Sequence, residues 1–174
     1  THKIFVAESE KLYARKSNIY FSNNISVINN GVENKLIKPK KIYKNDIKNN
    51  HIKKITVISV CRFVEQKNIK DILNIAKRIP EINFKLVGYG KLWDEINNLL
   101  SKFEIDNVKL FGIKKNVFEH LYYSDIYLST SLYEGLPLSI LEAMSIGLPI
   151  VATNVTGNCD TINHNKSGFL YIHK

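Results

Sequence analysis

From residue 55 to the end of this 174-residue chain, short apolar runs alternate with segments of helical periodicity. Six runs rich in β-branched or aromatic residues are predicted strands: 55–61, 84–87, 108–111, 126–129, 150–152 and 169–172. The segments between them are predicted helices: 68–79, 91–103, 117–123, 137–146 and 157–163. Because strands and helices alternate, we expect an α/β fold with a doubly wound, parallel, six-stranded sheet. Ligands of such sheets bind outside the carboxyl ends of the strands.

The chain divides into three zones. Residues 1–36 contain two apolar runs around a polar helical stretch, followed by Asn29-Asn30-Gly31, a predicted turn in which Gly31 supplies left-handed backbone. Residues 37–54 are a predicted Lys-rich linker, and residues 55–174 are the alternating domain. The chain begins without methionine and ends just after an apolar stretch. We therefore expect a fragment of a longer protein, with the last domain truncated at its C-terminal end.

The charge of the chain is strongly basic, at a formal net value of +9 with 22 Lys and 3 Arg. Such a balance admits anionic partners, namely nucleic acid, a membrane surface or a phosphorylated ligand. Eight of the twenty residues from 35 to 54 are Lys, which fits a solvated linker and also a segment for peripheral membrane contact. Tyr43 is the only aromatic residue there, and nucleic-acid binding is not predicted because stacking platforms are lacking.

The cysteine content and the length of the apolar runs indicate the compartment. Two cysteines, Cys61 and Cys159, exclude a disulfide scaffold and favour a reducing environment. The longest apolar run, residues 55–61, is far too short to span a bilayer. We expect a cytoplasmic protein, with the cytoplasmic face of the membrane as its alternative location.

Two cations follow the first strand of the alternating domain. Arg62 comes directly after this strand, and Lys67 stands at the entrance to the next helix. Two cations beside a helix N-terminus suit a diphosphate, since charge-assisted hydrogen bonds contribute roughly 1.5–3 kcal/mol each and helix N-termini attract anions. Taken alone, Lys67 is better explained as an ordinary surface cation of a Lys-rich chain. Arg62 is less easily explained in that way, because Arg is scarce here and this position lies where such sheets bind ligands.

Two glutamates, separated by seven residues, flank the start of the predicted helix 137–146. Glu134 precedes the helix and Glu142 lies in its second turn, a separation on the order of 10 Å at the helical rise. The free N–H groups of the helix N-terminus lie between them. This arrangement fits an extended ligand made of a sugar, a diphosphate and a ribose. By spacing alone, both could equally be ordinary helix-start and solvent-facing acids.

Residues 131–144 resemble the E-x7-E motif of retaining family-4 glycosyltransferases, which have the GT-B fold. Other segments resemble the same family in chain order: Asn30-Gly31-Val32, Arg62 with Lys67, residues 87–90, Phe111-Gly112, residues 147–153, Gly157 and residues 168–170. The resemblance covers nearly the whole chain. It implies that the chain is the C-terminal, Rossmann-like half of such an enzyme, with residues 1–36 as the end of the N-terminal acceptor domain and the interdomain connection.

The resemblance also implies roles for individual residues. Arg62 and Lys67 would hold the donor diphosphate, Glu142 the ribose hydroxyls and Glu134 the transferred sugar. Arg62, Lys67 and Glu134 are thereby the implied catalytic residues. The backbone groups implied to line the donor belong to Gly135, Leu136, Pro137, Leu138 and, at the nucleobase, Ile113.

The implied reaction moves a sugar from a nucleotide sugar to an acceptor hydroxyl with retention of configuration. A UDP-sugar is expected in preference to a GDP-sugar, and surface polysaccharide or glycolipid synthesis is the expected setting. The glycan or lipid-linked acceptor would bind mainly to the preceding domain, so we expect this fragment to bind donor and to turn over poorly. A non-catalytic nucleotide-binding or scaffolding module of the same fold is the alternative.

Three positions depart from the family pattern. Cys61 and Asn68 stand where the family usually has Gly, and Asp160 stands where Glu is usual. Asn68 is expected to narrow the loop that carries Arg62 and Lys67 and is implied to bind the phosphates. The sequence contains no Asp-x-Asp and its five histidines are scattered, so neither a metal nor another cofactor is expected. Cations and a helix N-terminus would then stabilise the leaving group.

Overall fold

The computed structural model of the chain describes residues 2–17, 24–33 and 54–173. Its main feature is a six-stranded sheet, ordered β5-β4-β3-β6-β7-β8, in which every neighbouring pair is parallel. The strands are β3 (Thr56–Val60), β4 (Asn83–Val87), β5 (Val108–Gly112), β6 (Ile126–Ser129), β7 (Ile150–Thr153) and β8 (Phe169–Tyr171). The predicted six-stranded parallel sheet is confirmed.

Helices cover both faces of this sheet. They are α2 (Ile69–Arg78), α3 (Trp93–Lys102), α4 (Val117–Tyr122), α5 (Leu138–Ser145) and α6 (Asn158–Thr161). Val57 and Ile58, neighbours on β3, belong to two separate buried clusters because successive strand side chains point to opposite faces. One cluster contains the buried stripe of α2, and the other contains buried residues of α4 and α5. The fold is therefore doubly wound, as predicted.

Both ends of α5 are marked by residues that stop a helix. Pro137 lies one residue before the helix, as its N-cap, and not inside its first turn as predicted. At the other end, Gly147 adopts φ +73°, and the Leu148 N–H donates to the Ala143 carbonyl at 3.0 Å. This left-handed termination satisfies carbonyls of the last turn.

The N-terminal residues form a small unit with its own parallel sheet. It consists of β1 (Lys3–Phe5), α1 (Glu8–Lys16) and β2 (Ile25–Val27). The prediction for Gly31 is wrong, because this glycine is not among the residues with positive φ. The neighbouring Asn30 instead binds the main domain, its side-chain amide donating to the Leu136 carbonyl at 2.9 Å. Tertiary contact, and not a left-handed turn, fixes this connection.

The Lys-rich linker falls outside the described residues except for Lys54, so its role stays a prediction. Of the helices in the described parts of the chain, none has the length and apolar character that crossing a bilayer requires.

Candidate functional site

Glycines allow the loops after β3 and β4 to approach each other closely. A side chain at Gly88 would place its Cβ 1.9 Å from the Cys61 carbonyl oxygen, and φ at Gly88 is +135°. The Cys61 N–H donates to the Val87 carbonyl at 3.0 Å. The carboxyl ends of these strands therefore form one continuous edge.

Lys67 and Glu134 meet at this edge. Lys67 ends a 3-10 turn (Glu65–Lys67) after β3, and Glu134 lies between β6 and α5. The Lys67 Nζ lies 2.5 Å from the Glu134 Oε1, and the two side chains are 15% and 8% exposed. The Ser131 hydroxyl donates to the same carboxylate oxygen at 2.6 Å. Two residues chosen from the sequence are thus joined directly, through a contact that the sequence did not predict.

Hydroxyl groups at the carboxyl ends of β6 and β7 position the backbone around this pair. The Thr130 hydroxyl lies 2.9 Å from the Lys67 carbonyl oxygen and 3.1 Å from that of Asn68. The buried Thr153 hydroxyl donates to the Ser131 carbonyl at 2.6 Å. Sequence reasoning missed these residues. The signal was the run of hydroxyl residues at 129–131, directly at the carboxyl end of a buried strand.

Asn68 connects the 3-10 turn to α2 in a left-handed conformation, with φ 46° and ψ 48°. Glycine adopts this conformation at no steric cost, and Asn is among the residues that tolerate it best. The departure from the family pattern at this position therefore preserves the backbone conformation that the loop needs.

The Cys61 thiol lies beneath the ion pair. It lines a small cavity of about 10 Å³ together with Lys67, Glu134, Ser129, Ser131 and Ser139. Burial raises the pKa of this thiol to about 12, an effect that Lys67 opposes and Glu134 reinforces. Cys61 is therefore a neutral, small side chain at neutral pH and no candidate nucleophile.

The remaining predicted residues lie around the same edge. Arg62 is exposed and stands two positions after the end of β3, and Ile113 is 79% exposed directly after β5. Glu142 is half-buried in the second turn of α5. The four residues that lead into this helix are Gly135 and Leu136, which are half-buried, Pro137, which is buried, and Leu138, which is exposed. Lys67 and Glu134 are a pair of predicted site residues that the structure brings into direct contact.

An aromatic ledge, formed by Tyr89 and Trp93, lies at the end of β5, where a Cβ at Gly112 would be 3.9 Å from the Trp93 ring. Tyr89 is 51% exposed after β4, and its ring centroid lies 5.1 Å from that of Trp93. The Gly88 N–H donates to the Gly112 carbonyl at 2.9 Å, which joins the loop of the ledge to the end of β5. Across residues 2–17, 24–33 and 54–173, no group of His, Cys, Asp and Glu side chains is arranged to hold a metal ion.

Residues 41–174 match the family model described as glycosyl transferases group 1. The chain belongs to this family. It is 35% identical over 161 residues to a UDP-Gal:alpha-D-GlcNAc-diphosphoundecaprenol alpha-1,3-galactosyltransferase of Escherichia coli, a match covering 84% of the chain and 41% of that protein. It is 32% identical over 173 residues to an uncharacterized glycosyltransferase of Haemophilus influenzae, covering 96% of the chain and 46% of that protein.

A similar solved structure is that of the S. aureus protein TarM, a point mutant in complex with Fondaparinux, alpha-GlcNAc-glycerol and UDP. The TM-score is 0.82 at 27% identity, over 97% of this chain and 33% of that one. This structural similarity confirms that the sheet and its helices have the GT-B type of fold. The chain spans less than half the length of each of these proteins.

Proposed function

We propose that the chain binds the nucleotide-sugar donor of a retaining, family-4 glycosyltransferase. The observation that carries the proposal is the pairing of Lys67 with Glu134 at the carboxyl edge of the sheet, just before the N-terminus of α5. A cation for phosphate and a carboxylate for sugar hydroxyls then lie at adjacent positions. UDP is the proposed nucleotide, because the named relative uses a UDP-sugar and UDP is bound in the TarM structure.

Each site residue takes one part of the donor in this proposal. Lys67 and Arg62 bind the diphosphate, together with the first amides of α5. Glu134 accepts hydrogen bonds from the transferred sugar, and Glu142 accepts them from the ribose hydroxyls. The backbone at Ile113 contacts the base, with the exposed ring of Tyr89 beside it as a stacking surface.

Transfer of the sugar depends on how the site stabilises the leaving diphosphate. The acceptor hydroxyl attacks the anomeric carbon on the face that the diphosphate leaves, which retains the configuration. Arg62, Lys67 and the dipole of α5 stabilise the charge that develops on the departing phosphate, so we propose that no metal ion is required. The acceptor, a surface glycan or a lipid-linked one, binds a preceding domain at the cytoplasmic side of the membrane.

Calorimetric titration with UDP, GDP and their sugar conjugates tests the proposal. We expect saturable binding of UDP that is unaffected by a chelator. Binding should weaken at least tenfold in Arg62→Ala and in Glu142→Gln. Arg78→Ala removes an exposed arginine from the end of α2, and Glu119→Gln removes an exposed carboxylate from α4, so both should bind like the parent. Equal affinity in all four variants would favour the scaffolding alternative, and absence of nucleotide binding would refute the proposal.

A further inference from the structure

Ser131 supplies the second hydrogen bond to the Glu134 carboxylate. Its Oγ lies 2.6 Å from Oε1, the same oxygen that lies 2.5 Å from the Lys67 Nζ. Ser131 is 2% exposed, whereas Lys67 has a side chain that is 15% exposed. The carboxylate is therefore held from the protein interior by a hydroxyl and from the ligand side by an ammonium group.

Ser131 and Lys67, the two hydrogen-bond donors to Glu134, differ in how firmly they are held. The Ser131 carbonyl accepts a hydrogen bond of 2.6 Å from Thr153, which is fully buried, and the Ser129 Oγ lies 3.3 Å from the Ser131 Oγ. The Ser131 side chain has only one torsion that moves Oγ, so a fixed backbone leaves its hydroxyl oxygen only three staggered positions. The ammonium group of Lys67 lies at the end of a flexible four-carbon side chain and can turn to another anion.

A diphosphate in the site competes with Glu134 for Lys67. This step rests on the function proposed above, in which Lys67 binds the donor phosphates. When the ammonium group turns to phosphate, Glu134 loses a partner and keeps the Ser131 hydroxyl. Lys67 and Ser131 both contact Oε1 of Glu134, which leaves Oε2 of the same carboxylate available to a sugar hydroxyl.

We infer that Ser131 is a positioning residue, which holds Glu134 in place for the transferred sugar once the donor diphosphate has drawn Lys67 away. Its hydroxyl contributes to recognition of the sugar and not of the nucleotide. Loss of that hydroxyl should therefore change the ratio between the affinity for a UDP-sugar and the affinity for UDP. A merely structural role would lower both affinities together.

The test compares UDP with UDP-glucose, UDP-galactose and UDP-N-acetylglucosamine, using the sugar nucleotide that the parent chain binds more tightly than UDP. The sugar advantage is the ratio of the affinity for this UDP-sugar to the affinity for UDP. In Ser131→Ala we expect the UDP affinity to stay within twofold of the parent and the sugar advantage to fall at least tenfold. Ser131→Thr keeps a hydroxyl and should restore the advantage. Ser124→Ala is the matched control, because Ser124 is equally buried and its hydroxyl donates to the His120 carbonyl ahead of β6, away from Glu134.

The outcomes separate this inference from the proposed function. If Ser131→Ala keeps the sugar advantage, or loses affinity for UDP and UDP-sugar equally, the positioning role is wrong while donor binding stands. A parent chain that binds UDP and every UDP-sugar equally well also overturns the role. If the parent binds no nucleotide, the proposed function itself fails. Thermal unfolding of each variant shows whether the fold is retained.

Discussion

The Lys67 ammonium group and the Glu134 carboxylate lie 2.5 Å apart, although the two residues stand 67 positions apart in the sequence. Each comes from a loop at the carboxyl edge of the sheet, one after β3 and one after β6, which are neighbouring strands. An anion that binds Lys67 must replace or share this carboxylate. In the proposed donor site, the ion pair therefore opposes the binding of phosphate to Lys67.

Removing the charge of Glu134 should strengthen nucleotide binding. In Glu134→Gln, Lys67 no longer has a carboxylate partner and phosphate no longer meets a nearby negative charge, so we expect UDP to bind threefold to tenfold more tightly. The advantage given by the sugar should fall at the same time. Calorimetry with UDP and a UDP-sugar measures both effects.

The control for this variant is Glu95→Gln, which removes the acidic partner of the exposed pair of Lys70 and Glu95, 2.6 Å apart on α2 and α3. Its charge change is identical, and its UDP affinity should stay within twofold of the parent. Weaker UDP binding by Glu134→Gln would contradict the competition between carboxylate and phosphate.

Gly157 keeps the loop of Glu134 in position by close backbone contact. A Cβ at Gly157 would lie 2.0 Å from the Gly135 carbonyl oxygen and 2.7 Å from that of Glu134, at a φ of +80°. Gly157→Ala must displace this loop, and we expect it to lower the free energy of unfolding by about 3 kcal/mol or more and to abolish the sugar advantage. Urea unfolding and nucleotide titration measure these effects.

Gly147 is a close control for this position. Its φ is +73° and no atom lies within 4 Å of the place that a Cβ would occupy, so Gly147→Ala carries the left-handed strain without the collision. That strain costs about 1–2 kcal/mol. Donor binding should be unchanged in Gly147→Ala. Equal effects of the two substitutions on stability and binding would show that the contact with residues 134 and 135 is unimportant.

The sheet could be predicted because its strands are buried on both faces and read as continuous apolar runs, such as residues 55–61. Lys67 and Glu134 could be selected because the resemblance to family-4 glycosyltransferases distinguishes them from other polar residues near the carboxyl ends of parallel strands, where ligands bind. Their mutual contact could not, since it depends on the packing of two loops distant in sequence. Gly31 was mispredicted because Asn-Gly is a turn signal, and the bond from Asn30 to Leu136 determines its backbone instead.

Substitutions at Asn68 test whether the loop between β3 and α2 tolerates a residue other than glycine at this position. Its φ of 46° is open to Gly without strain, while Gly also increases the entropy of the unfolded chain. These effects oppose each other, so Asn68→Gly should change the free energy of unfolding by less than about 1 kcal/mol and should leave UDP affinity within twofold. Asn68→Ala should be destabilised by about 1–2 kcal/mol. A tenfold gain in UDP affinity for Asn68→Gly would instead show that Asn68 narrows the loop.

Cys61 should make stability fall at alkaline pH. Burial raises the pKa of its thiol from 9.0 to about 12, so between these values the folded chain holds a proton that the unfolded chain has lost. The stabilisation is complete below pH 9 and decreases as the pH rises towards 12. Linkage gives a loss of about 1 kcal/mol in the free energy of unfolding between pH 8 and pH 10.

Urea unfolding of the parent and of Cys61→Ala at pH 8 and pH 10, under reducing conditions, measures this contribution. The parent should lose about 1 kcal/mol more than Cys61→Ala over this interval, because all other titrating groups are common to both. Cys159→Ala removes an exposed thiol whose pKa is raised by partial burial and by Asp160, and it should differ less from the parent. If Cys61→Ala lost as much stability as the parent, the thiol would be titrating normally, and the small cavity beneath Lys67 and Glu134 would have to be open to water.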